Sequence, residues 1–596
     1  MKHWLLRHLL ASALIPLAFA ATEKETKPIV AVYDLDGSVS ESGQGDPTMF
    51  DLAMETSRPL TLHDLSRSLD KATKDDSVKA VVLDADGAEL DFAQIQEIRR
   101  HLSALRAAGK DVWMYTEHLS NGTALLGSAA NHLTLMPEAD CSFHGIHAES
   151  LYYKGMLDKA GVRAEVIHIG DFKSYGETFY RTGPSEEARK QEEKLIDSIF
   201  GQVVAQVAAG RKLAPEKVRA IIDDGSLNAK RIVDAGLADH LMYRTDFVRK
   251  LHETYADAEF DREYELPDLE GPEITGLMDV FKLMFSDSDS TKARKDFVAV
   301  VPVDGDITED FIAPLRSQIL KLAKEPKAKA LVLRVNSPGG SALASELLWE
   351  ATDEWNATGK PFVVSMGGVA ASGGYYVASG ANRIFAEEGT ITGSIGVVGM
   401  KFVVGEAFEK LGITTHTIQR GKNAGANSMT RSFSEEETKL VRDSMLEVYG
   451  TFKKRVTDGR GKALKGDLEP LAGGRVYSGS QALEIGLVDE IGGLQEAIAH
   501  ACASAKLDNP EVKLLPEPKS GLEGLFAKPD KGDDDEIIRA NVKSDASGML
   551  RSALLETGIA NALPATARTS VSRLISRLEA FQNCRVLMLG PDFDLK

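Results

Sequence analysis

The sequence predicts an α/β protein made of two tandem copies of one domain, and three observations carry that expectation. At 596 residues the chain exceeds the size at which a single hydrophobic core keeps growing. Sequence landmarks recur in the same order about 250 positions apart. Within each recurrence, apolar β-branched runs alternate with helical stretches, which is the pattern of a largely parallel sheet.

The first element is the N-terminus. Lys2 and Arg7 precede an apolar run from Leu9 to Phe19, and Ala18-Phe19-Ala20 places small residues where a signal peptidase needs them. Residues 1–20 are therefore expected to be a secretory signal, cleaved after Ala20. The run is short for a membrane span of about 20 residues, although Trp4 to Leu6 could extend it into a retained anchor. No other stretch is long and apolar enough to span a bilayer.

The repeat comes next. Val78 to Asp84 answers Ala328 to Arg334, and Gly109-Lys110 answers Gly359-Lys360. Ala130-Asn131 answers Ala381-Asn382, Leu157 to Gly161 answers Phe408 to Gly412, and Ala235 to Asp239 answers Ile485 to Asp489. Leu35-Asp36-Gly37 matches Val303-Asp304-Gly305, with an extra insertion after it in the first copy. The first domain is thus expected over 27–266 and the second over 297–505. A linker (267–296) lies between them and contains the polar run Ser286 to Ser290. In the second copy, Phe297 to Val303, Ala330 to Val335 and Phe362 to Val364 read as strands and Ala344 to Trp355 as a helix. The tail (506–596) holds an acidic run at Asp533 to Glu536. It then places Val571, Leu574, Ile575 and Leu578 at helical spacing, an amphipathic helix suited to packing on a domain or subunit.

Composition excludes several functions. A formal charge of −19 with no long Lys/Arg run argues against nucleic acid as a partner. Cys141, Cys502 and Cys584 are widely spaced, without a CxxC pair, which disfavours a structural zinc site or a disulfide framework. The sequence has no HExxH helix and no P-loop, so neither a metal nor any other cofactor is expected.

Chemistry is expected at two glycine-rich turns of the second copy, Asn336 to Ser341 and Gly367 to Gly374, each after a predicted strand and before a helix. Such a turn aims backbone N–H groups outward, where they stabilise an oxyanion. Glycine also lets a substrate carbonyl approach the backbone closely. The serine at the second turn, Ser372, is the candidate nucleophile. Asn336-Ser-Pro-Gly-Gly-Ser341, Ala370-Ala-Ser-Gly-Gly-Tyr375 and Thr392-Gly-Ser-Ile-Gly396 together resemble the SppA family of signal peptide peptidases in its long, duplicated form. That family is a branch of the ClpP/crotonase superfamily. Gly170-Asp-Phe-Lys-Ser174 in the first copy is similar to the family segment that carries a catalytic lysine.

The resemblance implies a ClpP/crotonase-like fold in both copies. Ser372 would be the nucleophile, Lys173 the general base, the N–H groups of Gly373 and Gly340 the oxyanion hole, and Ser394 a support for the lysine amine. Aligning the copies places Asn121 opposite Ser372 and Ala424 opposite Lys173, so neither copy holds a complete pair and one composite site per chain is expected, whether the two residues meet within a protomer or across a subunit contact. Lys422, near the vacant lysine position, is the competing base; it is expected on the surface, as lysine usually is. A working lysine must be neutral, and burial between the domains is the available cause.

The resemblance also implies extended apolar peptides, including cleaved signal peptides, as substrates and a homotetramer as the assembly. It implies a periplasmic or inner-membrane-associated location facing the periplasm, with the membrane surface as a further partner. Three other readings stay open at this point. A Ser-His-Asp triad would draw on scattered histidines, a crotonase-like acyl-CoA enzyme would need CoA but not Ser372, and a non-catalytic envelope scaffold would need neither.

Overall fold

The computed structural model describes residues 27–43, 60–225, 228–267, 295–516 and 586–589. The expected signal, most of the linker, and the acidic run and helix of the tail lie outside these residues.

Each copy is built on its own sheet. In the first, the strand order is His240–Leu241, His132–Cys141, Asp111–Leu119, Val78–Asp84, Ile29–Asp34 and Glu259–Asp261, all parallel. The second repeats the plan with Val476–Ser478, Ile391–Gly393, Phe362–Ala371, Ala328–Ser337, Phe297–Asp304 and Glu511–Leu514. Here Arg383–Ala386 and Glu490–Ile491 branch off Phe362–Ala371. Only the Ile391–Gly393/Val476–Ser478 pair runs antiparallel in this sheet.

Parallel sheets need both faces covered, so their strands read as continuous apolar runs. Phe297–Asp304 shows why: alternate side chains leave opposite faces of a strand. Ala299, Val301 and Val303 enter one core, whereas Val298 and Val300 pack with Leu494, Ala497 and Ile498 of the helix Leu494–Ser504 on the other face. The helix Ala342–Ala357 starts where the Ser341 hydroxyl accepts the Ala344 N–H, and it buries Ala344, Leu348, Ala351 and Trp355 as one stripe. The expected Ala344–Trp355 helix is thus present with a turn more.

The second domain extends beyond the expected boundary at Ala505. Glu511–Leu514 pairs with Phe297–Asp304 as Glu259–Asp261 pairs with Ile29–Asp34, so this edge strand belongs to the repeat. Its four residues are too few to show a period.

A third sheet joins the copies. Arg163–Ile169 of the first copy runs antiparallel to Val397–Val403 of the second. Leu587–Leu589 lies between Val397–Val403 and Gly339–Ser341, antiparallel to both. A buried ion cluster also binds the copies, with the Arg334 guanidinium 2.8 Å from Glu41 and 3.3 Å from Glu97.

Candidate active site

Two local rules of chain geometry deliver a serine and a lysine to one point. The strand Phe362–Ala371 ends at Ser372, whose N–H donates to the Gly393 carbonyl, and the helix Gly373–Ala378 begins immediately behind it. Ser372 takes φ 55° and ψ −111°, a strained conformation for a residue with a Cβ. The strain turns the chain sharply enough to place the side chain at the junction of strand and helix.

The lysine arrives by register. Ile169 pairs with Val397 in the antiparallel ladder, so the chain continuing past Ile169 runs beside the residues preceding Val397, among them Ser394. The turn Gly170 to Ser174 then docks on Gly473-Gly474, with the Phe172 N–H donating to the Gly473 carbonyl at 2.9 Å. The Arg475 guanidinium covers the Phe172 ring at 3.5 Å.

The result is a compact cluster. Lys173 Nζ lies 2.7 Å from Ser372 Oγ, 2.9 Å from the Ser394 carbonyl oxygen and 2.9 Å from Ser394 Oγ. Lys173 is 2% exposed, and Ser372 and Ser394 are fully buried. Among the described residues, no carboxylate hydrogen-bonds to this amine. Desolvation therefore holds it well below its ordinary value of 10.5. A neutral amine has two N–H donors and one lone pair. In a neutral amine the two donors could go to the two oxygens of Ser394, an arrangement in which the lone pair is able to accept from the Ser372 hydroxyl. Ser394 also has positive φ, at 51°, so the backbone is bent on both sides of the amine.

The backbones of Gly373, which directly follows Ser372, and Gly340 lie close together. A Cβ on Gly373 would stand 3.2 Å from Gly340 N, and one on Gly339 would stand 2.6 Å from Gly373 N. Gly339, at φ +105°, could not carry a side chain here without strain. On its far edge this strand is tied to Ile307: the Ile307 N–H donates to the Gly339 carbonyl, and the Ser341 N–H donates to the Ile307 carbonyl. The Gly340 N–H, between those two bonds, faces the opposite way, toward the Leu587–Leu589 strand.

The structure separates the competing residues from this cluster. Lys422 is exposed and pairs with Glu436 at 2.6 Å. Ala424 is exposed, and Asn121 uses its amide on the backbone of Gly145, through bonds of 2.8 and 3.2 Å. Among the described residues, no histidine is bonded to Ser372. His168, the histidine nearest the lysine loop in sequence, is bonded to the Gly170 carbonyl.

Sequence reasoning missed the Gly473-Gly474 cradle. Its signal was a glycine pair at φ +68° and +84°, where the chain has no helix or strand to interrupt. It also missed the Leu587–Leu589 strand, which is too short to be read from periodicity.

Comparisons with known proteins identify the family of the chain. The profile of Peptidase family S49 matches twice, at residues 104–258 and 354–508. The chain belongs to peptidase family S49. It is 30% identical over 478 residues to the chloroplastic serine protease SPPA of Arabidopsis thaliana, covering 78% of this chain and 70% of the relative. It is 32% identical over 463 residues to Protease 4 of Salmonella typhi, covering 75% of this chain and 72% of the relative. Protease 4 of Haemophilus influenzae is 29% identical over 472 residues. The S49 chain is therefore a serine peptidase of the SppA type with a tandemly duplicated domain. No helix among its described residues is long and apolar enough to cross a membrane.

Proposed function

We propose that this S49 peptidase hydrolyses extended apolar peptides, cleaved signal peptides among them, through a Ser372–Lys173 dyad. The observation that carries the proposal is the 2.7 Å approach of a buried Lys173 amine, without a carboxylate partner among the described residues, to the Ser372 hydroxyl. Lys173 takes the hydroxyl proton as Ser372 Oγ adds to the scissile carbonyl, and the Gly373 and Gly340 N–H groups receive the developing oxyanion. Lys173 returns the proton to the leaving amine. Water, deprotonated by the same amine, then hydrolyses the acyl-enzyme ester. Ser394 holds the amine so that its lone pair faces Ser372.

The substrate lies as a strand between Gly339–Ser341 and Val397–Val403, whose facing edges supply main-chain hydrogen bonds to any sequence. Extended apolar peptides suit such a slot. The expected signal over residues 1–20 places the reaction outside the cytoplasm, in the periplasm or at the periplasmic face of the inner membrane. Assembly is expected to be homotetrameric. In support, the second copy's counterpart of the lysine arm leaves Leu411, Ile413 and Ile418 at 75%, 46% and 76% exposure. Head-to-tail docking of that arm on the first copy of a neighbour would close a ring.

The test is cleavage of an unfolded apolar peptide by the wild type, Ser372→Ala, Lys173→Ala and Lys422→Ala. Activity lost in the first two variants and kept in the third is the expected result. Full activity in Ser372→Ala would overturn the mechanism.

A further inference from the structure

The first copy carries a pair of histidines that the peptidase chemistry does not use. His132 opens the strand His132–Cys141, and His240 opens the edge strand His240–Leu241 beside it. His132 Nδ1 and His240 Nε2 face each other at 3.5 Å, although the residues stand 108 positions apart in the chain, beyond the reach of any sequence motif. A good hydrogen bond would draw two such nitrogens to about 3 Å. Two nitrogens on one tetrahedral zinc, each about 2.0–2.1 Å from the metal, stand about 3.4 Å apart.

The surroundings hold the rings and supply a further sign. The Trp113 ring stacks on His132 with centroids 3.8 Å apart, and Trp113 is itself fixed by an Nε1–H bond of 3.0 Å to the Tyr255 hydroxyl. Both histidines are half-buried, so an ion can reach them from solvent. Burial holds His132 below its ordinary 6.5, in the neutral form that ligates. Thr134 pairs with His240 across the ladder and shares a strand face with His132. It is fully buried, yet its Oγ1 has no hydrogen-bond partner among the described residues. A buried hydroxyl is rarely left so, and a water bound to a metal on the histidines would satisfy it.

The duplication shows that the fold does not require these residues. Phe385 pairs with Glu490 in the second copy as Thr134 pairs with His240 in the first, and Arg383 stands where His132 does. There Arg383 and Glu490 form an ion pair at 2.7 Å, and Phe385 joins an apolar cluster with Leu494 and Ile498. One register thus carries an ion pair beside a phenyl ring in the second copy, and two imidazoles beside an unpartnered hydroxyl in the first.

We infer that His132 and His240 bind a zinc ion, with water in its remaining positions and one of those waters held by Thr134. Among the described residues no third histidine, cysteine or carboxylate joins the pair, so the site is open to solvent rather than closed like a structural zinc centre. The bound ion ties the edge strand His240–Leu241 to its neighbour. It stabilises the folded chain by mass action, because the unfolded chain does not hold the two rings together. Neither histidine belongs to the Ser372–Lys173 cluster, so the inference stands apart from the peptidase mechanism.

The experiment titrates the full chain, without an affinity tag, with zinc chloride, and reads binding by calorimetry and the thermal midpoint with and without the metal. Cobalt(II) in a parallel sample reports coordination through its visible absorption. The wild type is expected to bind zinc, to gain thermal midpoint with it, and to give the intense band of tetrahedral cobalt. His132→Arg/His240→Glu writes the second copy's ion pair into the same register, and is expected to fold and to bind zinc at least tenfold more weakly. His240→Gln removes one ligand with a smaller change and is expected to do the same, which keeps the test decisive if the double variant unfolds. Thr134→Val leaves both ligands and is expected to weaken binding about threefold to tenfold. A wild type that binds no zinc, or a histidine variant that binds it as tightly as the wild type, overturns the site. Wild-type affinity in Thr134→Val overturns the part given to Thr134.

Discussion

Gly474 lies against the backbone of Lys173 so closely that a Cβ there would stand 2.6 Å from the Lys173 Cα. Gly474 belongs to the serine-bearing copy and Lys173 to the other, so this contact sets how deeply the lysine loop enters the site. Gly474 also has φ +84°, which a side chain strains. Gly474→Ala is expected to push the loop outward by a fraction of an ångström or more. A misplacement on that scale lowers kcat by about 10²-fold. KM should change little, because the substrate strand is held elsewhere. Steady-state kinetics with a circular dichroism control check this; wild-type kcat would refute it.

The burial of Lys173 makes two pH predictions. Only the neutral amine accepts the serine proton, so kcat/KM is expected to rise with pH along a limb centred well below 10.5 and then level off. Lys173→Met should lose about 10²–10⁴-fold in activity. Its stability should change in the other direction. The lysine value is depressed in the folded state, so the unfolded chain binds the extra proton between the depressed value and 10.5. Wild-type stability therefore climbs with pH across that window. Each tenfold bias against the charged form costs about 1.4 kcal/mol at neutral pH. Lys173→Met avoids this cost, and its advantage should shrink as pH approaches 10.5. Denaturant midpoints at several pH values measure it, and an advantage constant with pH would count against a neutral buried lysine.

Much of this was legible in the sequence because duplication gives each position a counterpart. The strand runs, the turns at Gly340 and Ser372, and the split between Ser372 and Lys173 all follow from comparing the copies. That the two residues meet within one chain was not legible, since it depends on Ile169 pairing with Val397 across two domains, and antiparallel register between distant segments leaves no local period. The buried Arg334 was hidden for a related reason. It sits in an apolar strand run, and its partners Glu41 and Glu97 come from the other copy. The tail strand carries only three residues of signal.

Ser394 offers a graded test of the lysine's orientation. Its hydroxyl and its carbonyl each lie 2.9 Å from Nζ, and Ser394→Ala removes only the first. The remaining carbonyl holds one N–H, so the amine keeps its place but gains a rotation. Loss of one such hydrogen bond is worth about 0.5–1.5 kcal/mol, or roughly a threefold to tenfold fall in kcat. The pH midpoint of kcat should also shift, since a partner of the amine has gone, which a purely structural serine would not cause. An unaltered pH profile together with wild-type kcat would remove Ser394 from the mechanism.

The domain interface carries its own pH dependence through Asp91 and Asp304. Burial beside Glu41 pushes both carboxyls up to about 6, against an ordinary 3.8, although Arg334 lies near. A raised carboxyl value means that the folded chain holds a proton the unfolded chain has lost. The stabilisation is full below about 3.8 and declines as pH rises to about 6. Asp91 caps the helix Phe92–Ala107 by accepting the Gln94 N–H at 2.8 Å, and asparagine caps equally well. Asp91→Asn therefore keeps the cap and removes a charge from a crowded acidic cluster. It is expected to stabilise the protein above pH 6 by roughly 1–2 kcal/mol, and to give no advantage near pH 4. Thermal midpoints across that range decide the matter. A variant less stable than wild type at pH 7 would mean that the Asp91 charge is needed by Arg334 more than it is opposed by Glu41.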